Sequence, residues 1–225
     1  MSVAIIDYGA GNIRSVENAL CELGYPAVLT SDSDVIAHAD HVILPGVGSF
    51  GDAMSNLRRR GLEEVIHDVC RRGIPFLGIC LGLQILFDES EESPGVRGLS
   101  LLKGRVVRFP SDMPDSFRRE NGAAEAVLKV PEIGWNALEY PQQAAGGSVS
   151  KRGRLFAGVP EGSHVYYVHS YYLKAEDPAI VTAQSEYGVC FDASVEQGNI
   201  FACQFHPEKS ERIGMQILQN FLQIS

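Results

Sequence analysis

"IPFLGICLGLQILF", residues 74–87, begins as an apolar β-like run, ends as a helix-like one, and sets a cysteine between two glycines where the character changes. A strand that feeds straight into a helix needs a crossover before the next strand, and crossovers build parallel sheets covered by helices. The same alternation precedes it in "VAIIDY", "NIRSVENALCELG", "PAVLT", "HVILPG" and "FGDAMSNLRRRGLEEVIHDVCRRG", and "LGLQILFDES" reads as the next helical segment. These runs predict an α/β fold with a mostly parallel sheet flanked by helices.

From about residue 101 the pattern shifts to short β-runs separated by turn residues: "LLKGRVVRF", "AVLKV", "HVYYVHSYYL", "AIVTAQSE", "VCFDASVEQ" and "NIFACQF". They read as an antiparallel strand region added to the sheet. A last amphipathic helix carries apolar residues at 213, 217, 218, 221 and 224 and is expected to pack back on the sheet. The polar stretch "SDMPDSFRRENGAAEA", 111–126, has neither periodicity and reads as a flexible surface loop. No internal repeat is visible, so residues 1–225 are expected to form a single domain.

Composition removes several function classes. Hydrophobic residues make up 45% and charged residues 21% of the 225, and no run reaches the roughly 20 apolar residues of a membrane span. No basic segment precedes an apolar one at the N-terminus, so no membrane role and a cytoplasmic location are expected. A net charge of −9 argues against nucleic acid as a partner. Five cysteines, at 21, 70, 80, 190 and 203, are an odd number without C-x-x-C pairs, so free thiols are expected and neither a metal nor a cofactor is implied.

Cys80 is the exception among them. G-x-C-x-G at 78–82 has the layout of a nucleophile elbow, a tight strand-to-helix turn that tolerates no side chains at the flanking positions. The turn places the thiol at a helix N-terminus, which favours a thiolate, and makes the Leu81 N–H a candidate oxyanion donor. Cys21, Cys70, Cys190 and Cys203 lack the glycine flanks and read as structural. A thiol nucleophile needs a base, and His206 qualifies because Pro207 ends its strand and Glu208 stands two residues on, able to orient the ring. His169 in "YYVHSYY" is the rival, set aside because only His206 has an acid placed to orient it. His38, His41, His67 and His164 read as structural.

"GVGSFG", 46–51, matches G-x-G-x-x-G after an apolar run and superficially proposes a dinucleotide site. The acid expected at the end of the following strand is missing, because that strand ends in Cys80. "PGVG" at the edge of the neighbouring strand is better suited to aim a peptide N–H at an oxyanion, with Val47 as the donor.

Taken in order, "DYGAGNIRSV", "PGVGSFGDAM", "GICLGLQILF", "ESEESPGVRGLSLLKGRV", "GWN", "YYVHSYY" and "QFHPEKS" resemble the class I (triad) glutamine amidotransferases over nearly the whole chain. Within them, the resemblance is to the glutaminase branch that serves histidine biosynthesis. It implies Cys80 as nucleophile, His206 as base, Glu208 as orienter, and a glutamine pocket that includes Gln84, Glu92, His169, Ser170 and Tyr171. It also implies L-glutamine as substrate and a heterodimer with a separate (β/α)₈-barrel cyclase. Ammonia from this chain would there serve to make imidazole glycerol phosphate and aminoimidazole carboxamide ribotide. Asn12, Trp135 and Lys209 are the candidates for the partner face. Two departures stand out: the length and polarity of 111–126, and Glu132 where the branch commonly has His before "GWN". Two other readings remain open on the sequence, a different cysteine hydrolase on the same elbow and a non-catalytic nucleotide-binding module.

Overall fold

A computed structural model describes residues 1–9, 13–115, 120, 126–141 and 152–225. In chain order the elements are β1 (Val3–Ile6), α1 (Ile13–Glu22), β2 (Ala27–Thr30), α2 (Ser33–Ala37), β3 (His41–Gly46), α3 (Phe50–Arg59), α4 (Leu62–Arg71), β4 (Phe76–Cys80) and α5 (Leu81–Gln84). They are followed by β5 (Glu89–Ser90), β6 (Gly104–Arg108), β7 (Glu132–Ala137), β8 (His164–His169), β9 (Tyr171–Ala175), β10 (Val181–Glu186), β11 (Cys190–Gln197), β12 (Ile200–Cys203) and α6 (Glu211–Leu222).

The main sheet runs β2-β1-β3-β4-β12-β11-β9-β6-β5, with β10 alongside β11. From β2 to β12 every neighbour is parallel, whereas β12-β11, β11-β9 and β9-β6 are antiparallel. This is the mostly parallel, helix-flanked sheet with an added antiparallel region that the sequence predicts. Alternation along the strands explains the two cores. Val3, Ile5, Ile43 and Leu77 face α1 and α6, which contribute Val16, Leu20, Ile217 and Phe221. Ala4, Ile6, Val42 and Leu44 face α3 and α4, which contribute Met54, Leu57, Ile66 and Val69. Among the described residues, no helix is long and apolar enough to cross a membrane.

Three expectations are corrected. The helix expected over "LGLQILFDES" is a single turn, α5. The carbonyls of Ile85, Leu86 and Phe87, which a longer helix would use internally, instead accept N–H groups from Leu99, Leu101, Leu102 and Ser100. "HVYYVHSYYL" is two strands, broken at Ser170: β8 pairs with β7 in a separate two-stranded ribbon, while β9 joins β6 in the main sheet. "AVLKV" forms only an isolated bridge, Val127 to Pro114. That bridge, with Leu128 N–H donating to Met113, closes the base of the 111–126 stretch. The expected flexible loop falls largely on 116–119 and 121–125, outside the described residues.

Candidate active site

Register brings the two glycine-rich edges together. β3 and β4 run parallel with Gly46 beside Cys80, so "PGVG" flanks the elbow. Both elbow glycines are demanded by packing. A Cβ on Gly82 would collide with the Leu44 carbonyl oxygen, and one on Gly78 would lie 2.8 Å from the Gly82 oxygen. Cys80 itself takes φ 55° and ψ −110°, a conformation that side chains other than glycine seldom adopt. Such an outlier is held only when its surroundings over-determine it, and it turns the thiol out of the sheet at the start of α5.

His206 follows β12, which pairs with β4 and so carries the ring to the same sheet edge. Its backbone is pinned twice: its N–H donates to the Tyr166 carbonyl at 2.9 Å, and its carbonyl accepts from Ser210 Oγ at 2.7 Å. Glu208 Oε1 meets His206 Nδ1 at 2.8 Å, with both side chains buried. Gly214 on α6 lets that helix seat directly on the turn, since a Cβ there would collide with the Pro207 carbonyl. Burial alone would lower the His206 pKa. Hydrogen bonds to Cys80 and Glu208, with their negative charge, outweigh it and push the value up to about 10. The imidazolium is therefore the resting form at neutral pH, next to the thiol and held by a carboxylate. Burial instead pushes the Cys70 thiol up to about 12 and holds Cys203 well above the usual thiol value, which keeps both as inert thiols.

Cys80 and His206 line a cavity of about 320 Å³. Val47, Leu81, Gln84, Glu92, His169, Ser170, Tyr171 and Lys209 line it too. Of the described candidate site residues, only Glu208 and Trp135 are not in its wall. Glu208 stands behind His206, and Asn12 lies outside the described residues. Trp135 is 47% exposed on β7, packed edge-on against Tyr166 of β8, whose ring also carries the Lys209 ammonium at 5.8 Å.

Two interactions escaped the sequence reading. The first is an acid for His169. Glu132 Oε2 meets His169 Nε2 at 3.0 Å, which corrects the expectation that only His206 has an acid placed to orient it. His169 Nδ1 is spent on the Tyr171 carbonyl at 2.8 Å, so neither ring nitrogen is open to the thiol. The departure at Glu132 thus has a structural role: across the β7–β8 ribbon, Glu132 and His169 are directly paired. The second is Gln204, fully buried, whose Nε2 lies 3.6 Å from Cys80 Sγ. The two-residue spacing of Gln204 and His206 could have signalled it, because alternate residues of an extended chain share a face.

The nucleotide-binding reading loses its seat. A pyrophosphate would need the N–H groups that open α3. Phe50 N–H donates to Glu92 at 2.7 Å, Gly51 N–H to Ser93 at 3.0 Å, and Asp52 N–H to the capping Ser49 hydroxyl. The same bond commits one Glu92 oxygen to the α3 terminus while the residue still borders the cavity.

A strained cysteine elbow, a buried histidine–glutamate pair and a parallel sheet agree with the likeness of this chain to known proteins. The family described as Glutamine amidotransferase class-I matches residues 4–224, and the chain belongs to it. Two solved structures share the fold. One is a glutamine amidotransferase at TM-score 0.69 and 20% identity, covering 98% of this chain and 97% of its own. The other is a glutamine amidotransferase from Thermotoga maritima at TM-score 0.64 and 16% identity, covering 99% of this chain and 96% of its own.

Full-length relatives narrow the branch. "Imidazole glycerol phosphate synthase subunit HisH" of Moorella thermoacetica is 48% identical over 219 residues, 97% of this chain and 93% of its own. The protein of the same name from Syntrophotalea carbinolica is 47% identical over 219 residues, covering 97% and 98%. The chain groups with that subunit family.

Proposed function

We propose that the chain hydrolyses L-glutamine to glutamate and ammonia through Cys80, His206 and Glu208, and delivers the ammonia to a separate (β/α)₈-barrel cyclase. The pair would act in the cytoplasm, making imidazole glycerol phosphate and aminoimidazole carboxamide ribotide for histidine biosynthesis. The observation that carries the reading is the Cys80 thiol at a strained elbow beside the His206 imidazolium, at the wall of a cavity large enough for one amino acid.

The chemistry balances with these residues alone. The Cys80 thiolate adds to the side-chain amide carbon, and the oxyanion is received by the N–H groups of Leu81 and Val47. His206 gives its proton to the departing nitrogen, ammonia leaves, and a glutamyl thioester remains. A water molecule then gives a proton to the now neutral His206 and adds to the thioester carbon, expelling the thiolate, restoring the thiolate–imidazolium pair and releasing the γ-carboxylic acid, which loses its proton to solvent as glutamate. Glu208 stabilises the imidazolium in both phases. Gln84, Glu92 and the Ser170 corner, with His169 and Tyr171 on either side, form the glutamine-binding wall.

Lys209, at the rim of the cavity, and the ribbon beside it support a docking face for the cyclase. Ile133 and Trp135 are 62% and 47% exposed there. Exposed aromatic and aliphatic anchors of this kind centre on protein interfaces; Asn12 keeps the partner role that the family resemblance gives it. Gly48, at φ 100°, gives "PGVG" the freedom for a peptide flip that would aim the Val47 N–H only when the partner is bound. One such donor is worth roughly 10²–10³ in rate. The test measures glutamate made by this chain alone, with the cyclase, and with cyclase plus acceptor nucleotide. Rates rising across the three support the coupled reading, and equal rates refute it.

A further inference from the structure

We propose that Gln204 is the fixed hydrogen-bond donor that holds the Cys80 sulfur as a thiolate, with Gln84 setting its orientation. The inference rests on Cys80 being the nucleophile, and it adds a residue that the triad does not contain.

The argument starts from a main-chain carbonyl. Tyr171 O can only accept, and the Gln84 side-chain amide approaches it at 3.1 Å, so the end of Gln84 facing it is the NH₂. The same nitrogen lies 3.0 Å from the Gln204 side chain. An amide NH₂ donates and does not accept, so Gln204 must turn its Oε1 toward Gln84. Its own NH₂ is then left facing Cys80 Sγ at 3.6 Å. Polarity is passed from a backbone oxygen through two amides to the sulfur, and neither amide can flip without setting like groups against each other.

Burial gives the relay its effect. Gln204 is 0% exposed and Gln84 is 5% exposed, so solvent does not compete for these bonds. The Gln204 backbone is held as well, its N–H donating to the Ala193 carbonyl at 2.8 Å. A fixed N–H aimed at sulfur in a low-dielectric site favours the charged form, as hydrogen bonding to an anion does generally. The His206 imidazolium gives up its charge during turnover. The Gln204 amide does not, so it supports the sulfur anion at the moment the thioester is hydrolysed and the thiolate leaves.

Gln204→Met keeps the side-chain volume and removes the donor. Alkylation by iodoacetamide at pH 7, mapped to the peptide that carries Cys80, is expected to fall about tenfold, the scale of a hydrogen bond to a charged group. Its pH profile should move to the alkaline side of the parent's. Because Gln204 is absent from the cavity wall, the glutaminase kcat should fall with KM held within about twofold. A purely packing role would lower the melting temperature and leave the alkylation profile in place. If Gln204→Met does not fold, Gln84→Met carries the test, since it leaves the Gln204 amide unanchored and should give a smaller alkaline displacement of the same profile. A folded variant that alkylates along the parental profile overturns the inference. Full glutaminase activity in Cys80→Ser would overturn instead the nucleophile assignment beneath it.

Discussion

Among the described residues, two buried histidine–carboxylate pairs have nearly the same shape. His206 meets Glu208 at 2.8 Å, His169 meets Glu132 at 3.0 Å, and all four side chains are shielded from solvent. What separates them is the second ring nitrogen. In His169 it is bound to a backbone carbonyl at 2.8 Å, which makes the pair a clamp between β7 and the Ser170 corner. In His206 the carboxylate takes Nδ1 and the other side of the ring is left to Cys80. The same two side chains serve as structure or as chemistry according to what the backbone offers the remaining nitrogen. An acid beside a histidine is therefore not a signature of catalysis by itself.

The largest effect that could break this comparison lies at the thiol. Cys80→Ser is expected to abolish measurable glutamine hydrolysis, whereas substitution of Cys21, Cys70, Cys190 or Cys203 leaves turnover largely intact; steady-state glutamate assays on the five variants decide it. Next come the two rings. His206→Asn should lose roughly 10²-fold or more in turnover, the range that general acid–base catalysis supplies. His169→Asn should lose far less turnover but cost about 2 kcal/mol of stability, because it takes one of two hydrogen-bond partners from the buried Glu132 and leaves it only Asn136. Denaturant unfolding alongside kinetics reads both quantities, and exchanged outcomes would redraw the triad around His169.

A smaller effect sharpens the electrostatic side. The folded His206 pKa of about 10 exceeds its unfolded value near 6.5, so the folded state binds the proton more tightly. That contribution to stability is fully present below about pH 6.5 and is lost as pH rises through about 10. Unfolding free energies measured from about pH 6 to 10 should therefore fall less steeply in His206→Asn than in the parent. The smallest effect is at the rim. Lys209→Ala removes an exposed cation–π contact with Tyr166 and should weaken stimulation by the cyclase by roughly two- to fivefold, with unstimulated turnover unchanged.

Local pattern made much of this legible. Continuous apolar runs gave β1, β3, β4 and β12, helical runs gave α1, α6 and the one stretch that the structure divides at Gly61 into α3 and α4, and glycines at 78 and 82 marked the elbow. The features that stayed hidden are those in which one segment's structure depends on a distant one. The length of α5 depends on residues 98–102 capturing its carbonyls. The break at Ser170 follows from two different partner strands, β7 and β6. Glu132 and Gln204 meet their partners across separations of 37 and 124 residues, and only the two-residue spacing of Gln204 from His206 gave the second a local signal.

The backbone at Cys80 sets stability against activity. A cysteine at φ 55° and ψ −110° carries a conformational cost of roughly 1–3 kcal/mol that glycine, without a Cβ, would largely escape. Cys80→Gly is therefore expected to hold its own in any population screened for thermal tolerance alone, while losing the glutaminase activity proposed for this thiol. On the proposed role of this thiol, a laboratory lineage released from the need for glutamine hydrolysis is expected to tolerate that exchange, and one held to it is expected to keep the cysteine and its strain.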